Sequence, residues 1–394
     1  MNISVVIGAN YGDEGKGMVT NFLTHKIGYD RLKDNYIVLT NGGAQRGHTV
    51  ETKDGFRHVF HHFGSTTKTD WYSYCPEYFI VNPAIWKQEL DELESKGLSP
   101  TLYVDPSCMV STPLDMLLNQ MVERNREDNR HGSVGVGIWE TIQRQKELPL
   151  TFNNKENLYD LKPKFIEYFY KKITEYNIKS WLIDDMIKDI NLDNLFNHFI
   201  WDFYLMQNKC SMRTFSEIAK YANHIIFENG QGLLLDQSED AIHATPSNTG
   251  STNVVNLLQK YKIYVTCINP CYVTRSYLTR HGAGPMENEV KYTNEIINSS
   301  IGIDETNKIN DYQGALRYGN LNTETLLERI KKDQELYKNI SHHCFDTSIY
   351  VTHLNETENN FEPFINYQFK SFKHILYLSN DKYTFPLQIK RIKY

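Results

Sequence analysis

The sequence predicts an α/β fold on a mostly parallel central sheet, with a helical insertion. Three observations carry this. Short apolar runs recur along the chain, amphipathic stretches separate them, and one long segment is helical in pattern with no glycine. The runs that read as buried strands are 3–7, 36–39, 102–104, 224–227, 263–265, 348–351 and 374–378. Between them, "NPAIWKQELDELESKGL" has apolar residues at helical spacing and ends at Gly97, a C-cap signal. "TPLDMLLNQMVERNRED" opens with a Thr cap before an apolar-periodic run. From about 153 to 221 the chain is rich in Lys, Tyr, Phe and Asp and reads as several helices. The accessory layer is placed at about 110–221. Without an internal repeat, a Pro/Ser-rich linker or a low-complexity block, residues 1–394 read as one domain.

Bulk properties exclude several classes. The 394 residues carry a net charge of −6, so no basic surface advertises nucleic acid or an anionic membrane. No apolar run is long enough for a transmembrane helix, and the first residues do not pattern as a signal peptide. The six cysteines form no CxxC pair, so reduced thiols and a cytoplasmic setting are expected. Cys267 and Cys271 could share a helix face, and "SHHC" near Cys344 could suggest a metal; buried cysteine and solvated histidine are the commoner explanations.

The chemistry concentrates in glycine-rich loops. "SVVIGANYGDEGKG" sets Gly12, Gly15 and Gly17 around Asp13, Glu14 and Lys16, directly after the first strand. Such a turn can converge backbone N–H groups on phosphate, with a helix N-terminus and Lys16 adding positive charge. It is a nucleotide loop of P-loop-NTPase character without the Walker spacing; a purely structural turn is the alternative. A carboxylate such as Asp13 inside a phosphate cradle is repelled unless a cation or a proton transfer compensates it. Mg²⁺ coordination, general-base work, or both would account for it.

Further loops follow other strands. "NGGAQRGHTV" presents Gln45, Gly47, His48 and Thr49; "RHGSVGVGIWET" presents Ser133. "FENGQGLLLDQ" sets Gln231 between glycines, where an amide can read a base edge. "ATPSNTG" adds Thr245, and "LTRHGAGP" adds an arginine among small residues. So many such loops at strand ends point to a nucleotide site on the rim of a sheet.

Taken in order, these motifs resemble the adenylosuccinate synthetases. That family's GDEGKG stands at 12–17; its GGxNAGHT resembles "GGAQRGHT" and its EGAQGxLLD resembles "ENGQGLLLD". Its TSSNT resembles "TPSNT" and its TRVGAGP resembles "TRHGAGP". The resemblance implies a C–N-bond-forming ligase of purine biosynthesis. It would join L-aspartate to a 6-oxopurine nucleoside monophosphate, IMP favoured, with cleavage of a nucleoside triphosphate. Asp13 would take the purine N1 proton, His48 would act as an acid, and Lys16 would neutralise the phosphoryl group. Asp13 and the Gly47 carbonyl would hold Mg²⁺. Gln231, Gln45 and Thr245 would face the purine nucleotide, and Ser133 its 5′-phosphate. Arg144 is the nearest candidate for an arginine that reaches that phosphate across a homodimer interface. Gly12, Glu14, Gly15, Gly17, Gly47, Thr49, His353, Asn355 and Ser379 would line the triphosphate site.

Three departures from the family pattern bear on specificity. The arginine-rich aspartate loop TTGRRRR is reduced to "DYQGALRYG", leaving Gln313, Gly314 and Arg317 for aspartate and nucleotide. The guanine-reading TKLD is "THLN", so Asn355 replaces a carboxylate that accepts two N–H donors, and ATP is expected in place of GTP. Gln45 and Arg46 replace the Asn and a small residue of the second loop. The chain also resembles phage-type enzymes that use dGMP to make a 2-aminoadenine precursor, so a (d)GMP-specific form with ATP is the alternative. A catalytically silent purine-nucleotide sensor is the rival from another class.

Overall fold

The computed structural model describes residues 1–27, 34–239, 243–291, 316–340, 342–357, 375–379 and 381–382. The first half runs β1 (Asn2–Gly8), α1 (Lys16–Lys26), β2 (Asp34–Leu39), β3 (Gly42–Gly43), β4 (His48–Glu51), β5 (Arg57–Phe60), β6 (Trp71–Cys75), β7 (Phe79–Ile80), α2 (Pro83–Ser95) and β8 (Leu102–Val104). The helical layer follows as α3 (Pro113–Asn125), α4 (Ile138–Glu147), α5 (Leu158–Glu175), α6 (Ser180–Ile187) and α7 (Leu192–Lys209), closed by β9 (Ser211–Met212) and α8 (Phe215–Tyr221). The remainder is β10 (Ala222–Gly232), α9 (Thr252–Lys260), β11 (Val265–Arg275), β12 (Leu278–Arg280), β13 (Arg317–Gly319), α10 (Thr323–Gln334), β14 (His342–Phe345), β15 (Ser348–Thr352) and β16 (Ile375–Leu378).

Ten strands form one sheet in the order β16-β15-β11-β1-β10-β2-β6-β8-β9, with β14 also paired to β11. Every pairing in it is parallel. Strand side chains alternate between two cores, as the pleat requires. Val6, Ile37 and Leu39 face the layer of α1, α2, α3, α5 and α7. Ile3, Val5, Ile7, Tyr36 and Val38 face α8, α9 and α10. Because the strands are parallel, the carboxyl ends of β15, β11, β1, β10 and β2 emerge side by side on one rim. All the glycine motifs but the one between α3 and α4 leave from that rim.

Local signals explain the helix bounds. Asn82 caps α2 through Ile85 N, and Gly97 beyond its end has φ 78°. Thr112 and Asp115 form a reciprocal capping box at α3.

Three expectations are corrected. The strand expected at 263–265 starts at Val265 and runs on to Arg275; Pro270 and polar neighbours hid it, although β1 and β15 flank it on both sides. Cys267 and Cys271 therefore lie on a strand, not a helix. Cys267 is also not a free thiol: it is disulfide-bonded to its register partner Cys344, with Cα atoms 4.6 Å apart. That bridge and the contact of His343 Nε2 with Tyr264 Oη occupy the "SHHC" segment, and no metal-type cluster occurs among the described residues.

Phe203 on α7 is fully buried, stacked on Phe199 and edge-to-face with Phe152 in the core under the helical layer. Phe203→Ala should lower unfolding stability by about 3–5 kcal/mol in urea titrations, since it removes an aromatic payload and leaves a cavity.

Candidate active site

The first glycine turn is shaped by its own charges. Gly12 (φ 118°) and Gly15 (φ 89°) take left-handed backbone, and Gly15 is the N-cap of α1. Glu14 is buried; its Oε1 accepts the N–H groups of Asn10 (3.0 Å) and Gly12 (2.8 Å). Its Oε2 lies 3.4 Å from Lys16 Nζ, which also donates to the Gly12 carbonyl. Lys16 is only 2% exposed, so its ammonium faces the inside of the turn rather than the rim. The cause is Glu14, a buried carboxylate that requires a cation. Thr352 ties the turn to β15 by donating to the Glu14 carbonyl (2.8 Å).

Asp13 is placed differently. Its side chain is 31% exposed, and Oδ2 is 3.6 Å from His281 Nε2 on the "TRHGAGP" loop. Arg275 Nε donates to its carbonyl, which fixes the backbone while leaving the carboxylate open to the rim.

The second loop packs onto the first. A methyl at Gly17 would stand 2.9 Å from the Thr49 carbonyl oxygen and 3.0 Å from His48 Cβ, so glycine here lets α1 meet the start of β4. His48 is buried. Its Nδ1 lies 2.6 Å from Glu228 Oε1; a carboxylate only accepts, so the hydrogen sits on Nδ1 and Nε2 of the neutral ring is an acceptor. Arg46 Nη2 lies 2.9 Å from Glu228 Oε2. Burial, then the Arg46 guanidinium, push the His48 imidazole down to about 3. Burial alone would push the Glu228 carboxyl up; Arg46 and His48 outweigh it and hold that group well below the usual carboxylate range. Gln45 Oε1 and Thr49 Oγ1 are buried with no partner among the described residues.

Gln231 sits beneath the first turn. Its φ is 54°, a methyl at Gly12 would stand 3.1 Å from its Cα, and its Oε1 accepts from Asn41 (3.0 Å). Thr245 Oγ1 donates to the Leu235 carbonyl (3.0 Å), seating its loop on residues 233–235. His353 takes φ 58° with Nδ1 2.7 Å from Thr352 Oγ1, and Asn355 is exposed on the following turn. Ser379 is buried and donates to the Asp381 carbonyl (3.0 Å). Arg317 donates to the Gly284 carbonyl (2.7 Å) and pairs with Glu289 (3.2 Å). Gln313 and Gly314 lie outside the described residues.

Two residues expected at the phosphate have partners within their own subunit. Ser133 Oγ donates to Asn119 (2.7 Å), while Glu123 Oε2 accepts from Gly132 N (3.0 Å) and Ser133 N (3.4 Å). Ser133 is thus bound into its own loop. Arg144 is 1% exposed; Nε bonds Asp115 (3.0 Å), Nη1 the Leu148 carbonyl (2.8 Å) and Nη2 the Val110 carbonyl (2.6 Å). The guanidinium so enclosed braces α3 against α4.

Sequence reasoning gave no role to Glu228 or Asn41, and read Arg46 only as a replacement that reshapes the purine pocket. Glu228 stood inside the quoted "FENGQG", and its signal was an acid following an apolar strand run. Asn41 Oδ1 accepts Gly230 N (2.7 Å) and thereby joins the second loop to the Gln231 loop.

A family model for adenylosuccinate synthetase matches residues 5–312. The chain belongs to the adenylosuccinate synthetase family. Among relatives in this family, the adenylosuccinate synthetase of Thermosipho africanus is 29% identical over 298 residues, 73% of this chain and 66% of its own length. That of Prochlorococcus marinus is 28% identical over 313 residues, covering 73% and 64%. The matched part thus spans just under two thirds of these family members. Solved structures agree in fold. Fully ligated adenylosuccinate synthetase from Plasmodium falciparum matches with a TM-score of 0.66 and 17% identity, over 90% of this chain and 77% of that one. The cyanophage S-2L succinoaminodeoxyadenylate synthetase, PurZ, bound to dGMP and dATP, matches at 0.64 and 12%, over 98% and 95%.

The buried histidines of this family member set an acid limit. His48 is held near 3, His224 near 4, and His62 below its ordinary value, each first by burial. Below about pH 6.5 the unfolded chain takes up protons that these folded imidazoles refuse. Stability should therefore fall as pH drops from about 6.5 towards 4, by up to about 1.4 kcal/mol per pH unit for each group. Urea midpoints measured across that range check it; a flat profile would contradict the neutral assignment.

Proposed function

We propose that this protein is a ligase that joins L-aspartate to C6 of a 6-oxopurine nucleoside monophosphate, with IMP as acceptor and ATP as phosphoryl donor. One observation carries the reading: the open carboxylate of Asp13 and the buried ring of His48 flank one glycine turn, with Gln231 packed under Gly12. A carboxylate among phosphates is repelled unless it holds a cation or takes a proton, and this ligase chemistry uses both.

The chemistry balances as follows. Asp13 accepts the N1 proton of the purine, and the negative charge passes to O6. O6 forms a bond to the γ-phosphorus while the bond to the β-bridging oxygen breaks, releasing ADP. The neutral aspartate amine then bonds to C6 as the C6–O6 bond breaks, and inorganic phosphate leaves with the former O6, carrying away the proton that the amine nitrogen sheds. A 6-oxo group is a poor leaving group, and phosphorylation makes it a good one. No enzyme nucleophile is needed, so catalysis rests on positioning and electrostatics. At rest His48 is neutral; the approaching triphosphate charge raises its affinity for a proton, which Nε2 then shares with a phosphoryl oxygen. Lys16 neutralises phosphoryl charge by turning from the Gly12 carbonyl.

Asp13 and the carbonyl of exposed Gly47 are hard oxygen donors that fit Mg²⁺. With no cluster of three ligating side chains among the described residues, phosphate and water would complete its shell. When bound, the ion supplies charge neutralisation on the triphosphate.

Arg317 supports the aspartate role, because it already holds a carboxylate, that of Glu289 (3.2 Å). Use of ATP rests on Asn355, whose amide is half donor and cannot accept both N1–H and N2–H of guanine. A homodimer remains the family expectation. No helix among the described residues is long and apolar enough to cross a membrane.

A second reading is favoured by Gln45. Its buried Oε1 lacks a donor, and the exocyclic amine of a 2-amino-6-oxopurine would supply one. The fold it shares with PurZ, a structure bound to dGMP and dATP, agrees with that alternative. Assays of IMP and dGMP against ATP and GTP, each with and without aspartate and with products weighed, separate the readings. Aspartate-dependent phosphate release with IMP and ATP is the expected result. Asp13→Asn should lower turnover roughly 100-fold or more with nucleotide binding kept. Full turnover in that variant would refute the base assignment.

A further inference from the structure

Arg46 has no counterpart in the role just described. The family motif that the second loop resembles has a small residue at this position, yet here an arginine is buried to 3% exposure beside the catalytic histidine. Its contacts converge on one residue. Nη2 reaches Glu228 Oε2 (2.9 Å), and Nη1 donates to the Glu228 backbone carbonyl (3.3 Å). The same Nη2 lies 2.7 Å from His48 Nδ1; with the ring hydrogen directed at Glu228 both atoms are donors, so this is a close approach and not a hydrogen bond. The guanidinium thus grips both the main chain and the carboxylate of Glu228, and that carboxylate in turn holds Nδ1–H of His48 (2.6 Å).

The arginine is itself held from behind. Its N–H donates to the Gly43 carbonyl (3.2 Å), and its carbonyl accepts from His61 Nδ1. His61 N donates to the buried carboxylate of Glu89 (2.8 Å). A rigid planar fork fixed at its base can set the rotation of a carboxylate in a way that a single ammonium cannot.

We propose that Arg46 is a positioning residue for the phosphoryl-transfer step. It fixes the Glu228 carboxylate and, through it, the tautomer and tilt of the His48 ring. The inference rests on the reading of His48 as the residue that meets the phosphoryl group. The competing explanation is simple charge balance, in which any buried cation would serve Glu228 equally well.

Arg46→Lys separates the two, since it keeps the charge and loses the fork. Positioning predicts a variant that unfolds within a few degrees of the wild type, with KM for both nucleotides changed by less than about threefold. Its kcat falls about tenfold or more. Wild-type kcat in Arg46→Lys would overturn the proposal. Should that variant fail to fold, Arg46→Gln keeps a planar donor pair without the charge; positioning predicts that it retains more kcat than Arg46→Ala, and equal loss in both would overturn it.

A second readout does not depend on turnover. In protein carrying ¹⁵N-labelled histidine, the wild type should give a sharp low-field Nδ1–H signal for His48, assigned by its loss in His48→Asn. That signal should broaden or vanish in Arg46→Lys. An unchanged signal would refute the hold of Arg46 on the ring. A clear change in the signal together with an inactive wild type would instead locate the failure in the proposed function.

Discussion

A single carboxylate with no solvent exposure, that of Glu228, fixes the geometry of the second loop. Removing such a charge from water costs several kcal/mol unless opposite charge and hydrogen bonds surround it. Here Arg46 and His48 of the second loop and the Ser65 N–H (3.1 Å) of a separate segment do so. Satisfying one acid on β10 therefore dictates where the second glycine loop, the start of β4 and the segment at Ser65 lie. Glu14 does the same for the first turn, through Asn10, Gly12 and Lys16. Both loops are ordered by internal ion pairs, which would spare the nucleotide of the proposed function much of the entropy of arranging them.

The same principle recurs at the rim. The N–H groups of the 130–137 loop converge on Glu123, and the guanidinium of Arg317 on Glu289. In each case a protein carboxylate stands where the proposed function would set an anionic group of a ligand. Asp13 is the exception: its backbone is pinned while its carboxylate stays open. Its one ion-pair neighbour is His281, 3.6 Å away, and about a third of its side chain remains exposed.

Much of this was legible in residue order. Short apolar runs located β1, β2, β8 and β15, and caps at Asn82 and Thr112 agree with the helix starts. The loops that carry Asp13, His48 and Gln231 were legible because glycine clusters after strands have few other uses. Other features depend on contacts distant in sequence. β6 was missed because aromatic and polar residues alternate in "WYSYC", and most of β11 because Pro270 breaks an apolar run that the neighbouring strands sustain. Arg144 read as a candidate for a phosphate across an interface; only the approach of Asp115 on α3 and of the Val110 carbonyl shows that it is enclosed. The inward turn of Lys16 and the Arg46–Glu228 pair are likewise three-dimensional facts, since partners 182 residues apart leave no local spacing to read.

The account centres on transient phosphorylation of the purine 6-oxygen. The most direct test follows that atom. With acceptor nucleotide carrying ¹⁸O at C6, together with ATP and aspartate, mass analysis of the released phosphate reports where the label goes. The account predicts one ¹⁸O atom in each phosphate formed. Unlabelled phosphate, with the isotope retained on the purine or lost to water, would contradict it.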